Sequence, residues 1–388
     1  MGAHIGGRMV VGMRSIVFLI AGCAVVATLS APSRLLAQTD SSQDNPWKAT
    51  GQRTDTTGKT NPTRSSSSHD VFKGRTVDRS STQHMGVDGR YVPYQDVERE
   101  STQVDSTTTR ILERTYGRGP DGTRVLTQAT ETEQRKLPGG GQKVTRTTSN
   151  PDANGRLQVI QREMQESRQI SKGVTETKST VLLPDLNGGL SATMQTQERS
   201  TQSGNDLEYR KTVQLPDGNG GWRVGEVRQG TIHQQGKEQT REEKVLRPGI
   251  NGALTVVERT VQKESETAPG ESHASSETYS SQLPGSSSDG GLRLAEKVST
   301  VRRTESGGGQ VTQQRVERPN PGNPSDGLQV MEATIDIVRT NPDGTTVQKT
   351  TILAPTSNGS LGEVWVDTKK VTGSPAIQVD TRTADKPH

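Results

Sequence analysis

The sequence predicts an all-β fold, an antiparallel meander of repeated two-stranded hairpin units with a period of about 34 residues. Three observations predict it. A Pro-Asp-x-Asn-Gly turn motif recurs along the chain. Strand-length runs with a period of two lie between its copies. No stretch is long and periodic enough to be the helix of a βαβ unit. The sheet is expected to be an extended twisted layer or a closed propeller-like or barrel-like ring. Closure is one way such a sheet loses its exposed edges.

The turns come first, because they set the units. The motif reads Pro151-Asp152-Ala153-Asn154-Gly155, Pro184-Asp185-Leu186-Asn187-Gly188-Gly189 and Pro216-Asp217-Gly218-Asn219-Gly220-Gly221. Looser copies start at Pro248, Pro284, Pro319 and Pro355, so successive prolines are 33, 32, 32, 36, 35 and 36 residues apart. Degenerate units begin upstream near Asp88-Gly89 and Pro120-Asp121-Gly122. Each unit holds a second Gly-containing turn, as at Lys172-Gly173, Ser203-Gly204-Asn205, Gln235-Gly236-Lys237, Pro269-Gly270, Gly307-Gly308-Gly309 and Pro342-Asp343-Gly344. A unit is therefore turn, strand, turn, strand, with strands of about ten residues.

The strand leaving each motif reads Trp222-x-Val224-x-Glu226, Leu254-x-Val256-x-Glu258, Leu292-x-Leu294-x-Glu296 or Leu328-x-Val330-x-Glu332. A period of two puts the three named residues on one face. Pairing Leu215 with Trp222 across the turn sets Val213 opposite Val224 and Lys211 opposite Glu226. This register predicts a narrow apolar band near the turn and a charged band beyond it. Each apolar cross-strand pair contributes roughly 0.2–1 kcal/mol. Stability must then accumulate between neighbouring units.

The N-terminus predicts export. Arg8 and Arg14 precede the apolar run Ile16–Leu29, too short and wrongly flanked for a spanning helix, and Met13 is an alternative start. Residues 1–37 read as a signal peptide cut after Ala37, leaving Gln38 first. The alternative is lipidation at Cys23, because Ile20-Ala21-Gly22-Cys23 resembles a lipobox; the apolar run continues past Cys23, which favours Ala37. Cys23 is the sole cysteine, so the mature chain has no disulfide. The net charge of +4 includes Arg8, Arg14 and Arg34, and without them it is +1. The basic balance belongs largely to the leader and gives no reason to expect a nucleic-acid partner.

Leu, Ile, Val and Phe make up only about a sixth of the mature chain, below the roughly 20% of packed domains. The low net charge argues against global disorder, and the abundance of Thr and Val favours solvated strands. Residues 38–85 lack apolar periodicity, as in Ser65-Ser66-Ser67-Ser68, and read as a disordered Ser/Thr-rich tether. The expected repeat domain spans 86–383, and 384–388 is a disordered tail.

No catalytic site, metal site or cofactor is predicted. His69, His84, His233, His273 and His388 are scattered, and there is no G-x-S-x-G elbow or P-loop. Asp185 and Asn187 match the start of a calcium loop, but no further acid follows at the needed spacing, so a turn explains them. Weak candidates for a ligand-binding surface are Trp222 and Trp365, with the repeated Glu226, Glu258, Glu296 and Glu332. An outer-membrane barrel of about seventeen strands is set aside, because runs such as Glu238–Lys244 offer no apolar face. The expected function is that of an exported, non-enzymatic structural or binding protein of the bacterial envelope or exterior. Its expected partner is a polysaccharide or another envelope protein. The alternative is a secreted carbohydrate-active enzyme or lectin that uses scattered carboxylates and Trp.

Overall fold

The computed structural model describes residues 48–55, 60–281, 291–320, 323 and 327–372. The predicted signal peptide, Cys23, the cut after Ala37 and the tail 384–388 lie outside them. The described residues belong to one compact unit, Asp44–His388.

Twenty strands form one sheet. The first ten are β1 (Lys48–Asp55), β2 (Thr60–Phe72), β3 (Arg75–Met85), β4 (Tyr91–Gln103), β5 (Thr108–Arg118), β6 (Arg124–Lys136), β7 (Gln142–Pro151), β8 (Leu157–Ser171), β9 (Val174–Pro184) and β10 (Leu190–Ser203). The rest are β11 (Asp206–Pro216), β12 (Trp222–Gln235), β13 (Glu238–Pro248), β14 (Leu254–Ala268), β15 (Glu271–Ser280), β16 (Arg293–Thr304), β17 (Gln310–Pro319), β18 (Leu328–Thr340), β19 (Thr346–Pro355) and β20 (Leu361–Thr372). Each pairs antiparallel with its sequence neighbours, which is the predicted all-β meander. In addition β1 pairs with β20 as well as with β2, so the two ends of the meander meet on β1. This is the connectivity of an up-and-down sheet whose ends join.

The Pro-Asp-x-Asn-Gly motif makes its turn by local chemistry. The Gly188 N–H donates to the Asp185 carbonyl at 3.1 Å, and the Asp185 N–H donates to the Gly189 carbonyl at 2.9 Å. Gly188 takes φ +78°, a left-handed conformation that disfavours a Cβ. Asp185 Oδ1 accepts the N–H groups of Asn187 (2.9 Å) and Gly189 (2.8 Å). Asp152 and Asp217 do the same. Where the Asp is missing, Asn251 and Asn358 accept from the N–H groups of Ala253 and Ser360. These loops share one end of the strands and the shorter Gly turns share the other.

Two expectations need correction. Part of the region read as a disordered tether, Lys48–Asp55 and Thr60–Met85, forms β1, β2 and β3, so the strands begin well before residue 86 and outnumber seventeen. Ser65 pairs with Thr82 and Ser66 with Ser81, and the Ser65 and Thr82 hydroxyls lie 3.3 Å apart. Apolar periodicity is missing there because neither face of these strands is apolar.

The register also differs. Pro216 stands opposite Trp222, Gln214 opposite Val224 and Val213 opposite Glu226, with a bulge at Gly225. One extra residue reverses the alternation. Val224 and Glu226 therefore lie on opposite faces, and Lys211 stands opposite Arg228 instead of Glu226. The same shift separates Val256 from Glu258, Leu294 from Glu296 and Val330 from Glu332.

Neither face serves as a core. The buried apolar residues among those described are Val77, Ala129, Val227, Val245 and Val371. The two most buried are Val227 at 1% exposure and Val245 at 3%. Val227 stands opposite Leu246 and Val245 opposite Arg228, on neighbouring rows, so they point to opposite faces.

Candidate functional site

The bulge turns the repeated glutamates into a row. Glu226, Glu258, Glu296, Glu332 and Trp365 each follow a bulge, on β12, β14, β16, β18 and β20, and face the same side. They stand opposite Val213, Val245, Thr278, Val316 and Ile352. Alternate strands are about 9–10 Å apart, so neighbouring glutamates do not share one ion. Trp222 lies on the other face at the loop end of β12, in register with Pro216. The two tryptophans are not brought together.

Two glutamates of the row are tied to arginines. Glu226, 16% exposed at its side chain, accepts from Arg228 Nε at 2.7 Å and from Arg247 at 3.0 Å. Burial works to raise its carboxyl, but both guanidiniums prevail and hold it below the usual range. Glu296 accepts from Arg318 at 2.6 and 2.7 Å.

Beside Glu226 sits a second side-chain network. Gly230 faces Tyr209 across β11 and β12, and a Cβ on Gly230 would lie 2.7 Å from the Tyr209 ring and 2.6 Å from the Glu242 carbonyl. The missing side chain lets the ring lie over the strand, an arrangement known to rescue glycine in sheets. The Tyr209 hydroxyl donates to Glu243 and accepts from Arg241 at 3.1 Å. Arg228 also reaches Glu243, at 3.4 Å. Burial and the carboxylate push the Tyr209 phenol up to about 12.

The opposite face of the same strands carries a cavity of about 620 Å³ across β10–β13. Arg199 and Arg210 stand directly opposite each other in it, followed in the same row by Gln229 and Lys244. Lys244 is 3.2 Å from Glu242, which also accepts from Arg259 at 2.9 Å. Those bonds, Arg259 first, hold the Glu242 carboxyl low. The side chains of Arg199 and Arg210 make no hydrogen bond or ion pair among the described residues. Glu208 and Glu242 line the cavity; Trp222 and Trp365 do not. The two arginines escape sequence reading because only the strand register sets them face to face.

The remaining polar residues are spread out. His69 bonds Asp78 at 2.5 Å, His233 bonds Asp206 and His273 bonds Glu271 at 2.8 Å. Asp185 spends one oxygen on its turn and the other on Ser191 at 2.9 Å; the Ser191 bond leads in lowering its carboxyl. No group of three or more His, Cys, Asp or Glu placed to hold a metal occurs among the described residues. No helix among them is long and apolar enough to cross a membrane.

These features define an up-and-down antiparallel β-sheet protein with charged side chains on both faces. No family model and no curated protein matches the sequence. Among solved structures, the siderophore receptor PirA from Pseudomonas aeruginosa aligns with a TM-score of 0.50 at 9% identity, over 86% of this chain and 81% of that one. OpdK from Pseudomonas aeruginosa, solved with vanillate, aligns at 0.38 and 10% identity, over 84% and 96%. A mutant Rh. blastica porin aligns at 0.38 and 7% identity, over 85% and 99%. The likeness to PirA concerns the fold alone.

Proposed function

We propose that this chain is an exported, non-enzymatic binding or structural protein of the bacterial envelope or exterior, and that its sheet works in water. One observation carries the reading. Two adjacent cross-strand rows are both charged: Glu198, Lys211, Arg228, Val245 and Glu258 on one face, and Arg199, Arg210, Gln229, Lys244 and Arg259 on the other. A lipid-facing sheet needs an unbroken apolar band about 25 Å tall, and each Arg or Lys at the bilayer midplane costs about 2–4 kcal/mol. Neither row meets that requirement. The basic n-region with Arg8 and Arg14 and the apolar run before Ala37 support export, with Cys23 lipidation as the other route. The row from Glu226 to Trp365 offers a periodic surface suited to an extended partner such as a polysaccharide or another envelope protein.

The test follows the exported chain. Mass spectrometry should find Gln38 at the mature N-terminus, and the protein should stay dispersed in buffer without detergent. Recovery only in detergent would overturn the reading. A polysaccharide pull-down run with a turnover assay covers the enzymatic alternative; release of product would favour a carbohydrate-active enzyme.

A further inference from the structure

We propose that the cavity across β10–β13 binds an acidic saccharide, with Arg199 and Arg210 gripping its carboxylate or sulfate group. This deepens the binding role proposed above and rests on that reading. Like charges directly opposite in an antiparallel pair destabilise a sheet. Arginine cannot relieve the conflict by losing its proton. Nearby acids do not relieve it either. Glu176, in register with Arg199, is engaged by Gln197 at 2.6 Å and Lys178 at 3.6 Å. Glu242 is held by Lys244 and Arg259. Glu208 lies on the same face as Arg210 and bonds to neither arginine. Two adjacent guanidiniums left over in this way form a ready receptor for an oxyanion, which each can bind with a planar fork.

The rest of the lining points to sugar hydroxyls. Thr201, Thr212 and Thr231 supply hydroxyls, and Gln197 and Gln229 supply amides. The volume of about 620 Å³ falls in the range of small-molecule sites, roughly 300–1,000 Å³. Such sites are usually lined by apolar side chains, and this one is not, which suits a hydroxylated ligand. Single-stranded nucleic acid is disfavoured, because its sites stack bases on aromatic platforms. The one aromatic residue along it, Tyr209, sends its ring to the other face, where its hydroxyl meets Glu243 and Arg241.

Calorimetric titration of the full chain at low salt tests the idea. The probes are an oligogalacturonate, a maltooligosaccharide of equal length, and a single-stranded oligothymidylate. The acidic saccharide should bind at least tenfold tighter than the neutral one. R199Q/R210Q should lose at least tenfold in affinity, while R315Q on β17 should bind as the parent does. The double variant should melt no earlier than the parent, since it removes a repulsion. R210K, which keeps the charge without the fork, should lose affinity to an intermediate degree and guards against a double variant that fails to fold. Equal binding of the neutral saccharide, undiminished binding by R199Q/R210Q, or preference for oligothymidylate would overturn the proposal. A chain that stays in detergent-free buffer yet ignores the oligogalacturonate overturns this inference alone. A chain that requires detergent overturns the reading above, whatever it binds.

Discussion

At the scale of single residues, the contact between Tyr209 and Gly230 concentrates several effects. A methyl group at Gly230 would press on a backbone carbonyl and on a ring held by Glu243 and Arg241. Overpacking of this kind typically costs about 1–3 kcal/mol. Urea unfolding of G230A should therefore show a lower midpoint with an unchanged slope. The phenol gives a second outcome. Its ionisation is raised to about 12 in the folded chain against 10.0 for an ordinary tyrosine. Its contribution to stability is complete below the unfolded value and is lost as pH rises through the folded one. Melting temperature should fall between pH 10 and 12, and the fall should be smaller in Y209F. Glu226 works in the opposite direction. Its carboxyl is lowered, so its contribution is present above the ordinary value of 4.5 and fades as pH drops below it. Neither partner of this contact announces itself in the sequence. Only the register sets the Tyr209 ring above Gly230.

At the scale of elements, turns were legible and bulges were not, for a physical reason. A turn such as Asp185–Gly189 is closed by groups within five residues, so Asp, Asn and Gly at fixed spacing announce it. D185A should remove two backbone-to-side-chain hydrogen bonds from an exposed loop and lower the melting temperature, read by thermal unfolding. A bulge such as Gly225 exists only relative to the partner strand, so its signature is spread over two segments. Reading Trp222, Val224 and Glu226 as one face assumed an unbroken pleat, and the row of Glu226 to Trp365 became visible only once the pleat was seen to break. Deleting Gly225 should be tolerated, because it removes the extra residue and leaves Val224 and Glu226 as neighbours on opposite faces, in the same register with β11. Deleting Arg228, where no bulge absorbs the loss, should instead throw the rest of β12 onto the wrong face; loss of a single cooperative unfolding transition there, and its retention without Gly225, is the expected contrast. The strands at Thr60–Met85 escaped for a related reason: serine on both faces leaves no apolar alternation to find, although β2 and β3 pair along Thr63–Phe72.

At the scale of the whole molecule, β1 holds both ends. It takes up the outer edges of β2 and β20, which would otherwise present unpaired backbone groups to other chains. Removing residues 48–55 should leave those edges open, and light scattering should then report association that grows with concentration. Retention of a monodisperse particle would show that the edges are protected in some other way. The all-β meander was foreseeable from turn chemistry; the meeting of its ends was not, since it depends on a strand whose sequence, Lys48–Asp55, carries no apolar marker.

The meeting of the ends also constrains how such a chain can lengthen or shorten. Strands in an antiparallel circle must alternate in direction, so the first and last agree only when their number is even. Twenty satisfies this. Duplicating or losing one whole repeat, from one Asp-capped loop to the next, changes the count by two and leaves β1 able to join the last strand. Gaining a lone strand would bring the termini together in parallel and break the circle. The proline-to-proline unit is therefore also the smallest step by which this molecule can change size and keep its form.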